Sequence, residues 1–326
     1  MTDTVKVASP PQPPPSSPGP ARRAGIGRFG LFTARFDRAT TPYFLISPYF
    51  LLFAIFGLFP LGFTLWVSLH KWRLAGEKTW VGFDNYEFLL TYDKFWNSIV
   101  NTLGMFVIAT VPQLLAALLI ANALNKRMRG RLVWRLSILA PMVTSVVAVA
   151  IVFNQMYGLE FGIFNWALEE VGIGRVDWRA DKLPAWLAIS TMVDWRWTGY
   201  NAMIYLAAMQ TISRDLYEAA AIDGASSRRQ FWSITVPQLK PVIIFTVFIS
   251  TIGGLLLFAE PMMFGSGLLN GGSTGQFQTA AMFIVQLFRT HNNFGMAAAA
   301  AWLLFLLILL VALINYVIIS RIRGSR

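Results

Sequence analysis

Six apolar stretches, each long enough to cross a lipid bilayer as a helix, constrain this chain more than any other feature: 44–69, 98–124, 136–157, 185–212, 242–264 and 296–320. A helix needs roughly 20 mostly apolar residues to traverse the hydrocarbon core. Four of the six contain no charge; the fourth carries Asp194 and Arg196 and the fifth carries Glu260. Backbone amides inside a bilayer find no water, so spanning segments close their hydrogen bonds internally as helices. The predicted fold class is an all-α polytopic membrane protein with six transmembrane helices. With 56% apolar and 13% charged residues and a mean hydropathy of +0.54, the chain is too apolar for an ordinary soluble domain.

Basic residues set the expected orientation. Lys6, Arg22, Arg23, Arg28, Arg35 and Arg38 precede the first span, and Lys126, Arg127, Arg129, Arg131 and Arg135 lie around the second connection. Arg214, Arg228, Arg229 and Lys240 lie in the fourth, and Arg321, Arg323 and Arg326 end the chain. These are eighteen of the 27 lysines and arginines, all on one side. The positive-inside rule then places both termini and the fourth connection in the cytoplasm of a bacterial or archaeal cell, with the chain multi-pass in its cytoplasmic membrane. The net charge of +11 is mostly topology and does not point to nucleic acid, which would require basic residues interleaved with aromatics on a soluble face. Residues 1–41 include the run SPPQPPPSSPGPARR, which cannot build a core and is expected to be a disordered cytoplasmic tail; a proline-rich docking ligand is the functional alternative. The transmembrane domain is expected to occupy residues 42–326.

Several chemistries are excluded. No lysine follows a glycine, so no GxxxxGK[ST] phosphate loop exists and the chain is not its own P-loop ATPase. Only His70 and His291 are present, which rules out an HExxH metal site, and the absence of cysteine rules out thiol chemistry. Gly265-Ser266-Gly267 does not extend to the GxSxG of a serine hydrolase and is expected to be a bend.

The informative polar stretch is EAAAIDGASSRRQFWSITVP, in the fourth connection. Residues 215–223 are good helix formers, with Leu216, Ala219, Ala220 and Asp223 spaced along one side. Gly224 fits a left-handed stop. Ser227 to Gln230 has the S-x-x-Q capping-box pattern, which predicts a second short helix carrying Phe231 and Ile234 and halting at Pro237. Pro241 suits the first position of the next helix. A shallow surface of this kind suits a groove on another protein. An amphipathic connection lying on the lipid surface is the alternative.

The run Glu218-Ala219-Ala220, then Gly224, Ile234 and Pro237, resembles the EAA signature of the membrane subunits of binding-protein-dependent ABC importers, with Val236 where leucine is usual. LYEAAAIDGA, FWSIT and P-x-L-x-P look like the carbohydrate branch of that family. The runs WRWTGYNAMIYLAAMQTI, LNGGST and FGMAAAAAWLL extend the likeness from residue 48 to the end, similar to the first permease of maltose- and lactose-type systems. The departures are Ser213, where many relatives have proline, and extra length between Pro261 and Gly271.

The resemblance implies a type I importer permease that carries a di- or oligosaccharide inward by alternating access. It implies no cofactor on this chain, since ATP and Mg belong to two partner ATPase subunits. A second permease would form a heterodimer, and an extracellular or periplasmic solute-binding protein would deliver substrate. The coupling loop would be residues 213–240, with Glu218, Ala219, Ala220, Asp223, Gly224, Ala225, Phe231, Ile234 and Pro237 meeting the ATPase. Glu218 would contact a basic residue there and Gly224 would allow the turn. Glycerol phosphate is the alternative substrate, since its importer is similar. A secondary sugar carrier would need a second repeat to enclose a pathway and would leave the EAA run unexplained. A membrane-embedded enzyme would need more convergent acid, base or metal groups than the spans supply.

Trp197, Tyr200 and Asn201 share one helix face near the middle of the fourth span. Aromatic faces stack on pyranose rings and an amide orients hydroxyls, which suits a sugar passage; helix packing uses the same spacing. Ionisable residues within spans are costly unless paired or facing water. Asp194 and Arg196 stand two apart and require partners on other helices, while Glu260, beside Phe258 and Pro261, is a pathway candidate or half of a structural ion pair.

Overall fold

The computed structural model describes residues 28–74, 76–126 and 128–324. The chain falls into two compact units, Met1–Leu61 and Gly62–Arg326.

In the first unit, helix α1 runs over Arg28–Phe53 and passes into a π turn at Ala54–Leu58. The expected tail therefore gives way to helix at Arg28. The proline-rich run ends at Pro20, and no proline interrupts residues 28–39, RFGLFTARFDRA, before Pro42. Residues 1–27 of the tail lie outside the described residues.

Helix α2 is Phe59–Ser68, and the span that ends with it covers Thr41–Ser68. In the second unit a short antiparallel hairpin follows, β1 (His70–Lys71) against β2 (Thr79–Trp80), with His70 opposite Trp80. Helix α3 (Asp84–Thr91) leads into α4 (Asp93–Asn125), the second span.

The third predicted span is broken. It consists of α5 (Arg131–Val143) and α6 (Val146–Met156), which meet at a 92° bend. Pro141 cannot donate to the helical ladder, and Thr144 then leaves the helix in an extended conformation. Helix α7 (Ile163–Glu170) precedes the long α8 (Lys182–Met209), which occupies the place of the fourth span. At about 1.5 Å per residue its 28 residues are long enough to cross a bilayer, but it carries Asp194 and Arg196 and is not among the helices apolar enough to be counted as spans.

The fourth connection holds α9 (Arg214–Ile222) and α10 (Ser227–Gln230). Contrary to the expected stop at Pro237, α10 continues through a π turn (Phe231–Thr235) into α11 (Val236–Leu255) as one helix over Ser227–Leu255. In the π turn, Val236 N–H bonds back five residues to Phe231 O, and this widened turn accommodates the ring of Pro237. Pro241 likewise lies inside the helix rather than at its start. The fifth span ends at Leu255 rather than residue 264, because the backbone breaks at Leu256–Phe258, after Gly253-Gly254. Glu260 and Pro261 therefore sit on a separate short helix, α12 (Ala259–Phe264). Helices α13 (Ala280–Arg289) and α14 (Phe294–Gly324), the latter containing the sixth predicted span, complete the fold.

Among the described residues, four helices are long and apolar enough to span a membrane, or five if the bent α5–α6 pair is one span. Helices α4 and α8 form the centre of the second unit, packing along much of their length around Met105, Ile189, Met192 and Tyr205. The α5–α8 crossing depends on Gly199, where a Cβ would lie 1.8 Å from the carbonyl oxygen of Ile138. Small residues permit such close approach between membrane helices, and the alanine run of α14 does the same, burying Ala297 to Ala300.

Candidate functional site

Two regions carry the sequence-predicted residues. The first is the α9–α10 turn. Ser213 caps α9 by accepting a hydrogen bond from Asp215 N–H at 3.3 Å. The helix ends at Gly224, whose φ of +78° is left-handed. Gly224 N–H bonds to Ala221 O at 3.0 Å and Ala225 N–H to Ala220 O at 2.8 Å, the paired bonds of a Schellman stop. The cap of α10 is Ser226, not Ser227: its Oγ accepts from Arg229 N–H at 3.4 Å, while Gln230 Nε2 donates to Ala225 O.

Glu218, Ala219, Asp223 and Gly224 are exposed, and Ala220 and Ala225 half-buried. The side of α9 turned towards the bundle carries Tyr217 and Ala220, while Leu216, Ala219 and Asp223 are exposed, and Tyr217 Oη lies 2.9 Å from Thr235 Oγ1. Phe231, predicted to meet a partner, is buried in a cluster with Leu118, Tyr205 and Leu239. Ile234 is half-buried and Pro237 exposed. The set thus divides into an outward surface and an inward anchor. Ile222, 88% exposed at the end of α9, belongs to the outward surface and escaped sequence reasoning, although a large apolar side chain closing a polar helix is its signal.

The second region is an open-sided cavity of about 420 Å³ lined by α4, α8, α11 and the 256–260 segment. Trp197, Tyr200, Asn201, Phe258 and Glu260 all line it, so the structure brings together the five residues picked from two different spans. The Trp197 and Tyr200 rings meet edge to face, 6.1 Å between centroids. Asn201 is buried and donates to Gln113 Oε1 at 3.4 Å. Arg196, on the same wall, pairs with the buried Glu260 and fixes α12 against α8. Asp194 does not share this arrangement; its Oδ1 is buried without a hydrogen-bond partner. Gln113 and Thr110 of α4 and Ser250 of α11 add polar groups to the lining. Gln113 is one of several uncharged polar residues of the second span, with Asn101 and Asn122, and the signal that could have found it is a buried amide in the middle of that span.

Among the described residues, no group of three or more His, Asp or Glu side chains is placed to hold a metal ion. A cavity with aromatic walls and a few convergent polar groups, within a ~300–1,000 Å³ range, is the form of a small-molecule site.

Residues 113–324, more than half of the chain and including the α9–α10 turn and most of the cavity lining, match the family described as binding-protein-dependent transport system inner membrane component. The chain belongs to this family. It is therefore a multi-pass inner-membrane component of a transport system, and the family is one of transport components rather than enzymes. The chain is 32% identical over 290 residues to the trehalose/maltose transport system permease protein MalF of Thermococcus litoralis, covering 89% of this chain and 96% of the relative. It is 35% identical over 278 residues to the lactose transport system permease protein LacF of Rhizobium radiobacter, covering 84% and 92%. In fold it matches a chain of a bacterial ABC transporter involved in the import of the acidic polysaccharide alginate. The TM-score is 0.71 at 21% identity, over 91% of this chain and 100% of that one.

Proposed function

We propose that this chain is the permease subunit of an ABC importer that moves a di- or oligosaccharide into the cytoplasm. It works with a second permease, two ATPase subunits and an external solute-binding protein. Both termini and the α9–α10 turn face the cytoplasm, as the distribution of basic residues requires. The turn engages an ATPase through Glu218, Ala219, Ile222 and Asp223.

The observation that carries the reading is the cavity. Trp197 and Tyr200 offer ring faces to a pyranose, Asn201 and Gln113 offer amides to its hydroxyls, and the Arg196–Glu260 pair leaves the lining with no net charge from these two groups, as a neutral solute prefers. Relatives named for trehalose/maltose and lactose transport support the same substrate class. In operation, closure of the ATPases draws the paired permeases from inward- to outward-facing, and this chain supplies the passage rather than the chemistry.

The test is uptake of labelled disaccharides by proteoliposomes containing the assembled importer. Trp197→Ala and Tyr200→Ala are expected to lower uptake severalfold while the ATPase subunits still co-purify. Normal uptake by both variants would make this face helix packing only, and uptake by this chain alone would refute the ATP-driven assembly.

A further inference from the structure

On the cytoplasmic orientation proposed above, we infer that a pocket of about 640 Å³ beside the α9–α10 turn binds the headgroup of an anionic phospholipid from the inner leaflet. The pocket lies between the end of α4 and the start of the continuous α10–α11 helix. Its cations are Lys126, where α4 ends, and Arg228, at the second position of α10. No acidic side chain lines it, and neither cation is in an ion pair among the described residues.

The order of side chains along both helices identifies the ligand. On α4 it runs from Lys126 to Asn122 to Leu119, and on the other helix from Arg228 through Gln230 to Trp232. The first series passes from cation to amide to apolar side chain as α4 enters the predicted second span; the second does so in the first turns of the Ser227–Leu255 helix, which is long and apolar enough to cross a membrane although the predicted fifth span begins only at residue 242. A phospholipid has the same order: phosphate, then glycerol and ester groups, then acyl chain. Leu119 and Trp232 are 57% and 51% exposed, apolar surface that a soluble phosphate would leave uncovered and an acyl chain would cover. Tryptophan is favoured at this depth, and basic pockets between cytoplasmic helix ends suit anionic headgroups. Because Tyr217 of α9 also lines the pocket, an occupied site would brace the turn from its membrane side, leaving Glu218 and Ile222 free to face a protein.

The test is native mass spectrometry of the full chain in neutral detergent, titrated with phosphatidylglycerol or phosphatidylcholine. Preferential retention of phosphatidylglycerol is expected. Lys126→Gln and Arg228→Gln should each weaken it about 5-fold and together about 30-fold, while the equally charged change Arg129→Gln with Arg229→Gln, outside the pocket, should not. Lys126→Arg with Arg228→Lys should restore retention. Equal retention of the two lipids, or no loss in either single variant, would overturn the site. Complete displacement by millimolar inorganic phosphate would make it a small-anion site, and loss of ATPase co-purification with unchanged lipid binding would assign it to that protein. Because the chain lacks cysteine, Ser227→Cys labelling by a membrane-impermeant maleimide tests the orientation separately. Labelling from the outer face would refute the cytoplasmic orientation whatever the lipid titration gave.

Discussion

Gly224 offers the sharpest test of the coupling turn, because its environment separates backbone effects from contacts. A Cβ added there meets nothing within 4 Å, so Gly224→Ala introduces no clash and its cost is the left-handed conformation alone. That cost is about 1–2 kcal/mol, a factor of roughly 5–30 in the population of the native turn. Gly224→Pro is worse on three counts. Proline fixes φ near −65° against the observed +78°, removes the N–H bonded to Ala221 O, and displaces the Ala225 N–H bonded to Ala220 O. Two lost bonds at ~0.5–1.5 kcal/mol each, added to an excluded backbone well, give about 3 kcal/mol or more. The assay is ATP turnover of the reconstituted importer, stimulated by substrate-loaded binding protein. Gly224→Ala is expected to retain part of the stimulation and Gly224→Pro none, with both proteins inserted in the membrane. Full stimulation of Gly224→Pro would show that the turn is not the coupling element.

Glu218→Ala should lower the same stimulation without abolishing it, since it removes one charge-assisted contact worth ~1.5–3 kcal/mol when desolvated at the interface; an unchanged rate would remove Glu218 from the contact. Glu260→Ala leaves the half-buried Arg196 without its counter-ion, a loss of up to about 3–5 kcal/mol. Thermal unfolding of the purified chain should drop accordingly and largely recover in Arg196→Met/Glu260→Met; an unshifted midpoint would refute the pairing. Gly199→Ala drives a methyl into Ile138 O and should destabilise the α5–α8 crossing by ~1–3 kcal/mol, also read by thermal unfolding.

What the sequence revealed depended on how local the signal was. Apolar runs located the long helices because lipid demands uninterrupted apolarity, and Gly224 announced its left-handed turn because few other residues adopt it. The same method failed where tertiary structure decided between local options. Pro237 reads as a stop, yet the π turn before it carries the helix through. Residues 136–157 read as one span, but Pro141 and Thr144 divide it. At the cavity, Trp197, Tyr200 and Asn201 were legible because they share a helix face. That Glu260 is paired with Arg196 was not, since a sequence offers the charges and withholds which helices meet. Phe231 shows the converse: a motif position can lie in the core beneath the α9–α10 turn, and motif membership does not reveal which way a side chain points.

The misread proline changes how the two regions relate. A short helix ending at Pro237 would have left the turn hinged to the membrane domain; the observed helix runs unbroken for 29 residues from Ser227 to Leu255, about 43 Å at ~1.5 Å per residue. Its first residues stand beside the Gly224 turn, and Ile249, Ser250 and Gly253 near its far end line the cavity. The other arm of the turn is connected almost as closely: residues 210–213 alone separate α9 from α8, which carries Trp197, Tyr200 and Asn201. The turn therefore joins the ends of two helices that both form cavity wall. Tyr217–Thr235 ties the arms together outside the core, and Tyr205–Thr246, at 2.6 Å, ties α8 to α11 inside it. A force applied to Glu218 and Ile222 acts on both walls, and the flexible points available to absorb it are the π turn and the two prolines within the helix. On the proposed function, stiffening those points should tighten the relation between ATP turnover and transport, whereas loosening the Tyr217 bond should let the ATPase cycle without moving the cavity.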